Sequence, residues 1–165
     1  MYEFLQVLSI LLVSVGMALS LAHALELPGK RRLQHETYLA VQTIYYPGFT
    51  VGGMFGELGA ILVTGVLLLL IPAATVRFWL VLTTLTCLGI MHALYWVVTH
   101  PVNKVWLKHQ ELCGPGANFF GRPSGTVEAD WTLLRDRCEM SHVARAVFAM
   151  SALAALVVAG TLRAV

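Results

Sequence analysis

Residues 49–71 read FTVGGMFGELGAILVTGVLLLLI, an apolar run whose one ionisable residue is Glu57. About 20 such residues in helical form, rising about 1.5 Å each, cross the roughly 30 Å of hydrocarbon in a bilayer. Lipid offers no partner for backbone N–H and C=O groups, so a run of this kind predicts a transmembrane helix that satisfies them internally. Residues 4–25, 78–99 and 143–162 have the same character. Across the 165 residues, 58% are hydrophobic and only 12% charged, a balance that implies lipid rather than water around most of the chain. The expected fold is therefore all-α: one integral membrane four-helix bundle over residues 1–165, with interfacial helices in its cytoplasmic loops.

The first span ends in Ala22-His23-Ala24, a small-x-small pattern like a signal cleavage site, but its start carries Glu3 and no cation. It is read as a retained span. Cations set the orientation, because short translocated loops exclude them. Lys30, Arg31, Arg32, Lys104, Lys108, Arg122, Arg135, Arg137 and Arg145 make nine of the eleven Lys and Arg on one side, with Arg77 and Arg163 on the other. This places the chain in an inner, cytoplasmic membrane with both termini outside and the two longer connections in the cytoplasm. In the first of these, Leu33, Thr37, Val41 and Ile44 repeat at helical spacing before a stop at Tyr46-Pro47-Gly48. The second opens with His100-Pro101, offers a short helix through Trp106, breaks at Gly114-Pro115-Gly116, and restarts at Thr126, a candidate N-cap.

Function classes narrow quickly. A net charge of +2 with cations beside the spans fits anionic headgroups and gives nucleic-acid binding no support. No Ser/His/Asp ordering, phosphate-cradling glycine loop or Cys/His framework is present, so hydrolase, kinase and zinc chemistry have no foothold. Cys87, Cys113 and Cys138 are expected as free thiols.

Polar residues inside or at the edge of the spans carry the remaining information. An intramembrane carboxylate must be paired, protonated or wetted, so Glu57 faces the bundle interior, and His92 on the third span comes to a similar depth. The small-residue ladder Gly48, Gly52, Gly56 and Ala60, with Gly53 and Gly59, brings a neighbouring helix close, which favours that pairing. His23 with Glu26, His100 with Asn103, and Glu139 with His142 add polar groups at one level, where Tyr45, Tyr46, Trp96, Trp106 and Trp131 either wall a pocket for an apolar or aromatic ligand or mark the membrane interface. Glu139-Met140-Ser141-His142 has the Glu-x-x-His spacing of di-iron bundles, though in one copy, and Glu139 has Arg135 one turn away as an alternative partner. The metal candidates are thus Glu139, His142, His92 and His23, for iron or copper. His23, His92, His100 and His142 are also the imidazoles available to a haem. Arg145 either snorkels or holds an anion.

The stretches Ala22-His23-Ala24-Leu25-Glu26-Leu27-Pro28-Gly29-Lys30 and Val41-Gln42-Thr43-Ile44-Tyr45-Tyr46-Pro47-Gly48-Phe49, with Pro101-Val102-Asn103, Trp131 and Arg135 to Arg145, resemble the anthrone oxygenase-like small membrane proteins. The resemblance implies a four-span bundle that inserts oxygen into the activated ring carbon of a polyketide anthrone. Asn103, Trp131, His142 and Arg145 match the family's second half, and His23 and Glu26 its first. Cofactor-free oxygenation needs a base to remove an acidic ring proton. The implied roles are His92 or His142 as base, Glu57 orienting it, and Arg145 or Asn103 on the enolate oxygen. His23, Tyr45, Trp96, Trp106 and Trp131 are the ligand contacts in that reading. Rival readings are a non-enzymatic subunit packing its glycine face against a larger membrane complex or another copy, a haem or metal electron carrier, and a small-molecule transporter active as an oligomer. A subunit would leave the Gly48 to Ala60 face uncovered, whereas an enzyme would hold a pocket among His23, Glu57, His92 and His142.

Overall fold

A computed structural model describes residues 1–106 and 130–162. Cys113, Lys108, Arg122, the Gly114-Pro115-Gly116 break, Thr126 and Arg163 lie outside the described residues. Within them the chain is all-helical and forms an antiparallel bundle of four helices, each long and apolar enough to cross a membrane: α1 (Tyr2–Lys30), α2 (His35–Leu69), α3 (Val76–Trp106) and α4 (Trp131–Thr161).

The helices outrun the bilayer. A 31-residue helix such as α3 or α4 is about 46 Å long, well beyond the hydrocarbon thickness. The segments expected as separate interfacial helices are helical, but they are the continuous ends of α2 and α3. The expected stop at Tyr46-Pro47-Gly48 does not occur, since Pro47 lies inside α2, and Pro28 likewise lies inside α1. A proline removes one ladder hydrogen bond and crowds one carbonyl, a defect that packing against neighbouring helices holds in place. The first connection therefore shrinks to residues 31–34. At the opposite end residues 70–75 join α2 to α3, and Thr75 caps α3 by accepting a hydrogen bond from the Phe78 N–H at 3.2 Å. Asp130 caps α4; hydrogen bonds from the Thr132 hydroxyl and N–H hold its carboxyl below the usual carboxylate range.

Two of the helices contain π turns, Met54–Leu58 in α2 and Tyr95–Thr99 in α3. In the second, the His100 N–H reaches back to the Tyr95 carbonyl, and Pro101, which has no N–H, follows directly. Each π turn inserts an extra residue and rotates the face that follows it.

Packing falls into two cores. The larger is apolar and lies within the spans, built from Val13, Ala60, Leu67, Val81, Leu88, Met91, Ala149 and Leu156. The smaller, around Tyr38, Val102, Trp106 and Cys138, ties the extended ends together. Between neighbouring helices, buried polar side chains bond to backbone carbonyls: Gln6 Nε2 to Leu156 O at 2.9 Å and Thr84 Oγ1 to Ala152 O at 3.1 Å. The glycine ladder faces α1 rather than α3. A Cβ at Gly56 would lie 2.9 Å from the Gly16 backbone nitrogen, while Gly52 abuts Leu19 and Gly59 abuts Leu12. Gly48 and Gly53 have nothing within 4 Å and take no part in the contact.

Candidate functional site

The four helices converge on a polar cluster between the two cores. Glu57 sits in the π turn of α2, Arg145 lies on α4, and an Arg145 Nη2–Glu57 Oε1 contact of 2.5 Å joins them. Both side chains are buried, so the pair neutralises charges that hydrocarbon would not tolerate singly. Glu57 Oε2 lies 3.4 Å from His92 Nδ1, as the sequence leads one to expect. The Trp96 indole N–H donates to His92 Nε2 at 2.8 Å. Because Nε2 accepts that bond, neutral His92 carries its proton on Nδ1 and points it at the carboxylate. Both ring nitrogens of His92 are thus engaged.

On the other side of Arg145, Nη1 approaches His142 Nδ1 at 3.4 Å. Guanidinium only donates, so neutral His142 carries its proton on Nε2. The His142 ring stacks on His23 of α1, with centroids 4.2 Å apart and planes 26° apart. His23 in turn touches Tyr45 and Phe49 of α2. Direct stacking of His23 on His142 leaves no gap for a porphyrin between these two imidazoles.

A cavity of about 130 Å³ lies at this convergence, lined by His23, Gln42, Tyr45, Glu57, His92, Trp96, Asn103, His142 and Arg145, among others. Its size is close to that of an engineered 150 Å³ cavity that holds benzene, so it takes about one aromatic ring, with room beyond only through its opening. Three lining residues, Met54 and Leu58 of α2 and Trp96 of α3, are 49%, 42% and 45% exposed, so the cavity reaches the bundle surface between these helices. Two of its lining residues each carry a buried polar atom, Arg145 Nε and Gln42 Nε2, with no hydrogen-bond partner among the described residues. Leaving a buried donor unmet costs about 1–3 kcal/mol.

The sequence expectations divide. His23, Tyr45, Glu57, His92, Trp96, Asn103, His142 and Arg145 all line this one cavity. Trp106 and Trp131 do not. Trp106 packs on Tyr38 and Trp131 stacks on His35, both in the smaller core, because the uninterrupted ends of α3 and α4 carry them past the cavity. Asn103 Oδ1 faces Tyr46 Oη at 3.5 Å and Cys138 Sγ at 3.8 Å. Cys87 and Cys138 are free thiols.

The Glu-x-x-His spacing also resolves differently. Glu139 does not pair with Arg135, which bonds Asp136; it accepts from Tyr38 Oη at 2.6 Å and from Lys30 Nζ at 3.3 Å. Glu139 and His142 therefore serve different partners, and among the described residues no group of three or more His, Cys, Asp or Glu side chains converges as a metal site. Sequence reasoning missed Lys30, Tyr38 and Gln42. Lys30 read as one more cation at the membrane edge, yet it is only 3% exposed. The available signal was Glu26, four residues before it on the same helical face.

Comparison with protein-family models, with curated proteins and with solved structures finds no match.

Proposed function

We propose that the chain is a membrane-embedded oxygenase that oxidises a lipophilic aromatic molecule of anthrone or quinone type. The observation that carries this reading is one cavity between the four helices where a carboxylate, a guanidinium and three imidazoles meet aromatic walls. Its mouth between Met54, Leu58 and Trp96 gives a bilayer-dissolved ligand a lateral way in. The glycine face that a packing subunit would offer to a partner is covered by α1 at Gly52, Gly56 and Gly59, which favours the enzyme over that rival.

The geometry revises the roles expected from the sequence. His92 has no free ring nitrogen to act as base, so Glu57, whose carboxylate retains lone pairs beside its two contacts, takes the acidic ring proton while His92 and Trp96 align it. The Arg145 guanidinium and the His142 Nε2–H receive the charge that develops on the ligand oxygen. The electron-rich enolate passes an electron to dioxygen, the two recombine at the ring carbon, and loss of water leaves the new carbonyl. One oxygen atom enters the product and the other leaves as water, so CH2 plus O2 gives C=O plus H2O.

The test is oxygen uptake and quinone absorbance with an anthrone and the detergent-purified protein. Uptake matching quinone one to one is expected. Glu57→Gln, which keeps an oxygen for Arg145, should lower turnover by about 100-fold or more. No turnover by the unmodified protein, or full turnover by the variant, overturns the assignment.

We also propose that the end bearing Lys30, Arg31 and Arg135 faces the cytoplasm, on the strength of the cation bias. A C-terminal alkaline phosphatase fusion should then be active and a C-terminal fluorescent-protein fusion dark; the reverse pattern turns the bundle over.

A further inference from the structure

A second buried network adjoins the cavity and has no part in the chemistry above. Lys30 Nζ lies 2.9 Å from His23 Nδ1, 3.3 Å from Glu139 Oε2 and 3.2 Å from Glu26 Oε2, the last two as ion pairs, of which only that to Glu139 is also a hydrogen bond. Lys30 and Glu139 are 3% and 1% exposed, whereas the Glu26 side chain is 39% exposed. Lys30 is therefore a bridge, with a partly exposed glutamate whose Oε2 is buried against it on one side and a cavity-lining imidazole on the other.

Stability alone does not call for such a bridge. A buried ion pair recovers its desolvation penalty poorly, and apolar replacement of both partners is commonly neutral or stabilising. The direction of the hydrogen bond is informative instead. An ammonium only donates, so His23 Nδ1 accepts and the neutral ring carries its proton on Nε2. The groups facing this pair are Glu26 on α1, Tyr38 and Tyr45 on α2, and Glu139, His142 and then Arg145 on α4.

We propose that Glu26, Lys30 and His23 form a proton-delivery path into the cavity, with Lys30 its positioning and relay residue. The inference rests on the oxygenase reading, in which two protons leave carbon and two must reach the departing oxygen. Glu57 returns the first carbon proton to the peroxide oxygen, then takes the second as the O–O bond breaks and releases it to solvent; the leaving hydroxide takes the His23 Nε2 proton and departs as water. Lys30 then supplies a proton to Nδ1 and is itself reprotonated through Glu26, and the ring returns to its Nε2–H tautomer by proton exchange before the next turnover. Glu139, fixed by the Tyr38 hydroxyl, holds the ammonium in place.

Two measurements test this. In the paired variant Lys30→Met with Glu139→Gln, which removes both charges and keeps an acceptor for Tyr38, turnover should fall by about 10- to 100-fold with KM unchanged and an enlarged solvent deuterium effect. Turnover and pH profile like those of the unmodified protein, in a variant that keeps its helical signal and thermal midpoint, overturn the proposal. Independently of any activity, nitrogen-15 spectra of the unmodified protein should show His23 bare at Nδ1 and protonated at Nε2, a preference lost in the paired variant. A protonated Nδ1 in the unmodified protein overturns the path even if anthrone is oxidised; the expected spectrum without anthrone turnover overturns the oxygenase reading and leaves the His23–Lys30 delivery geometry standing.

Discussion

Arg145→Ala is expected to destabilise the bundle by about 3–5 kcal/mol, the typical cost of removing one partner from a buried ion pair. Glu57 is 6% exposed and sits in the π turn of α2, where the backbone fixes it toward the interior. Without the guanidinium its remaining side-chain contact is with His92 Nδ1 at 3.4 Å. The loss is specific to the pair, so Glu57→Leu with Arg145→Leu should be markedly more stable than Arg145→Ala alone. A double-mutant cycle read from thermal or denaturant unfolding in detergent measures this coupling. Additive single effects would mean that the two side chains do not meet inside the bundle.

Gly56→Val should do comparable damage by a different route. The added Cβ alone would stand 2.9 Å from the Gly16 nitrogen, 3.0 Å from Val15 Cγ1 and 3.3 Å from the Gly16 Cα. Two of those atoms are backbone and cannot rotate away, so α1 and α2 must separate, and the Gly52–Leu19 and Gly59–Leu12 contacts loosen with them. Overpacking of this kind costs about 1–3 kcal/mol or somewhat more, and the branched side chain places it at the upper end. Gly48→Ala is the matched control. Nothing lies within 4 Å of its Cβ, and alanine is favoured over glycine in a helix by roughly 0.5–1 kcal/mol. Equal unfolding midpoints for Gly56→Val and the unmodified protein would rule out the α1–α2 crossing described here. The same displacement would move His23 away from His142, so the activity of Gly56→Val should fall together with its stability.

Several site features were open to sequence reasoning because they follow from depth alone. Glu57 and His92 meet because the short connection at residues 70–75 sets their levels. Arg145 and His142 lie at the lip of the last span and turn inward for the same reason that Glu57 does. Depth says nothing about rotation around the helix axis, and there the sequence reading erred. It offered Glu139 to Arg135 or a metal, and Trp106 and Trp131 to the ligand. It also ended helices at prolines that the packed bundle carries through Pro28 and Pro47.

The sequence by itself determined the all-α membrane bundle, the number and levels of its spans, and the need for an inward-facing partner to Glu57. These rest on length, hydropathy and the cost of charge in lipid, which are properties of each segment taken alone. Only the tertiary structure decided which neighbours the polar side chains take: α1 against the glycine face, Lys30 with Glu139 and His23, and Trp96 on His92. Those choices depend on the rotational phase of each helix, which the two π turns reset by an extra residue and which no residue pattern in Met54–Leu58 or Tyr95–Thr99 announces.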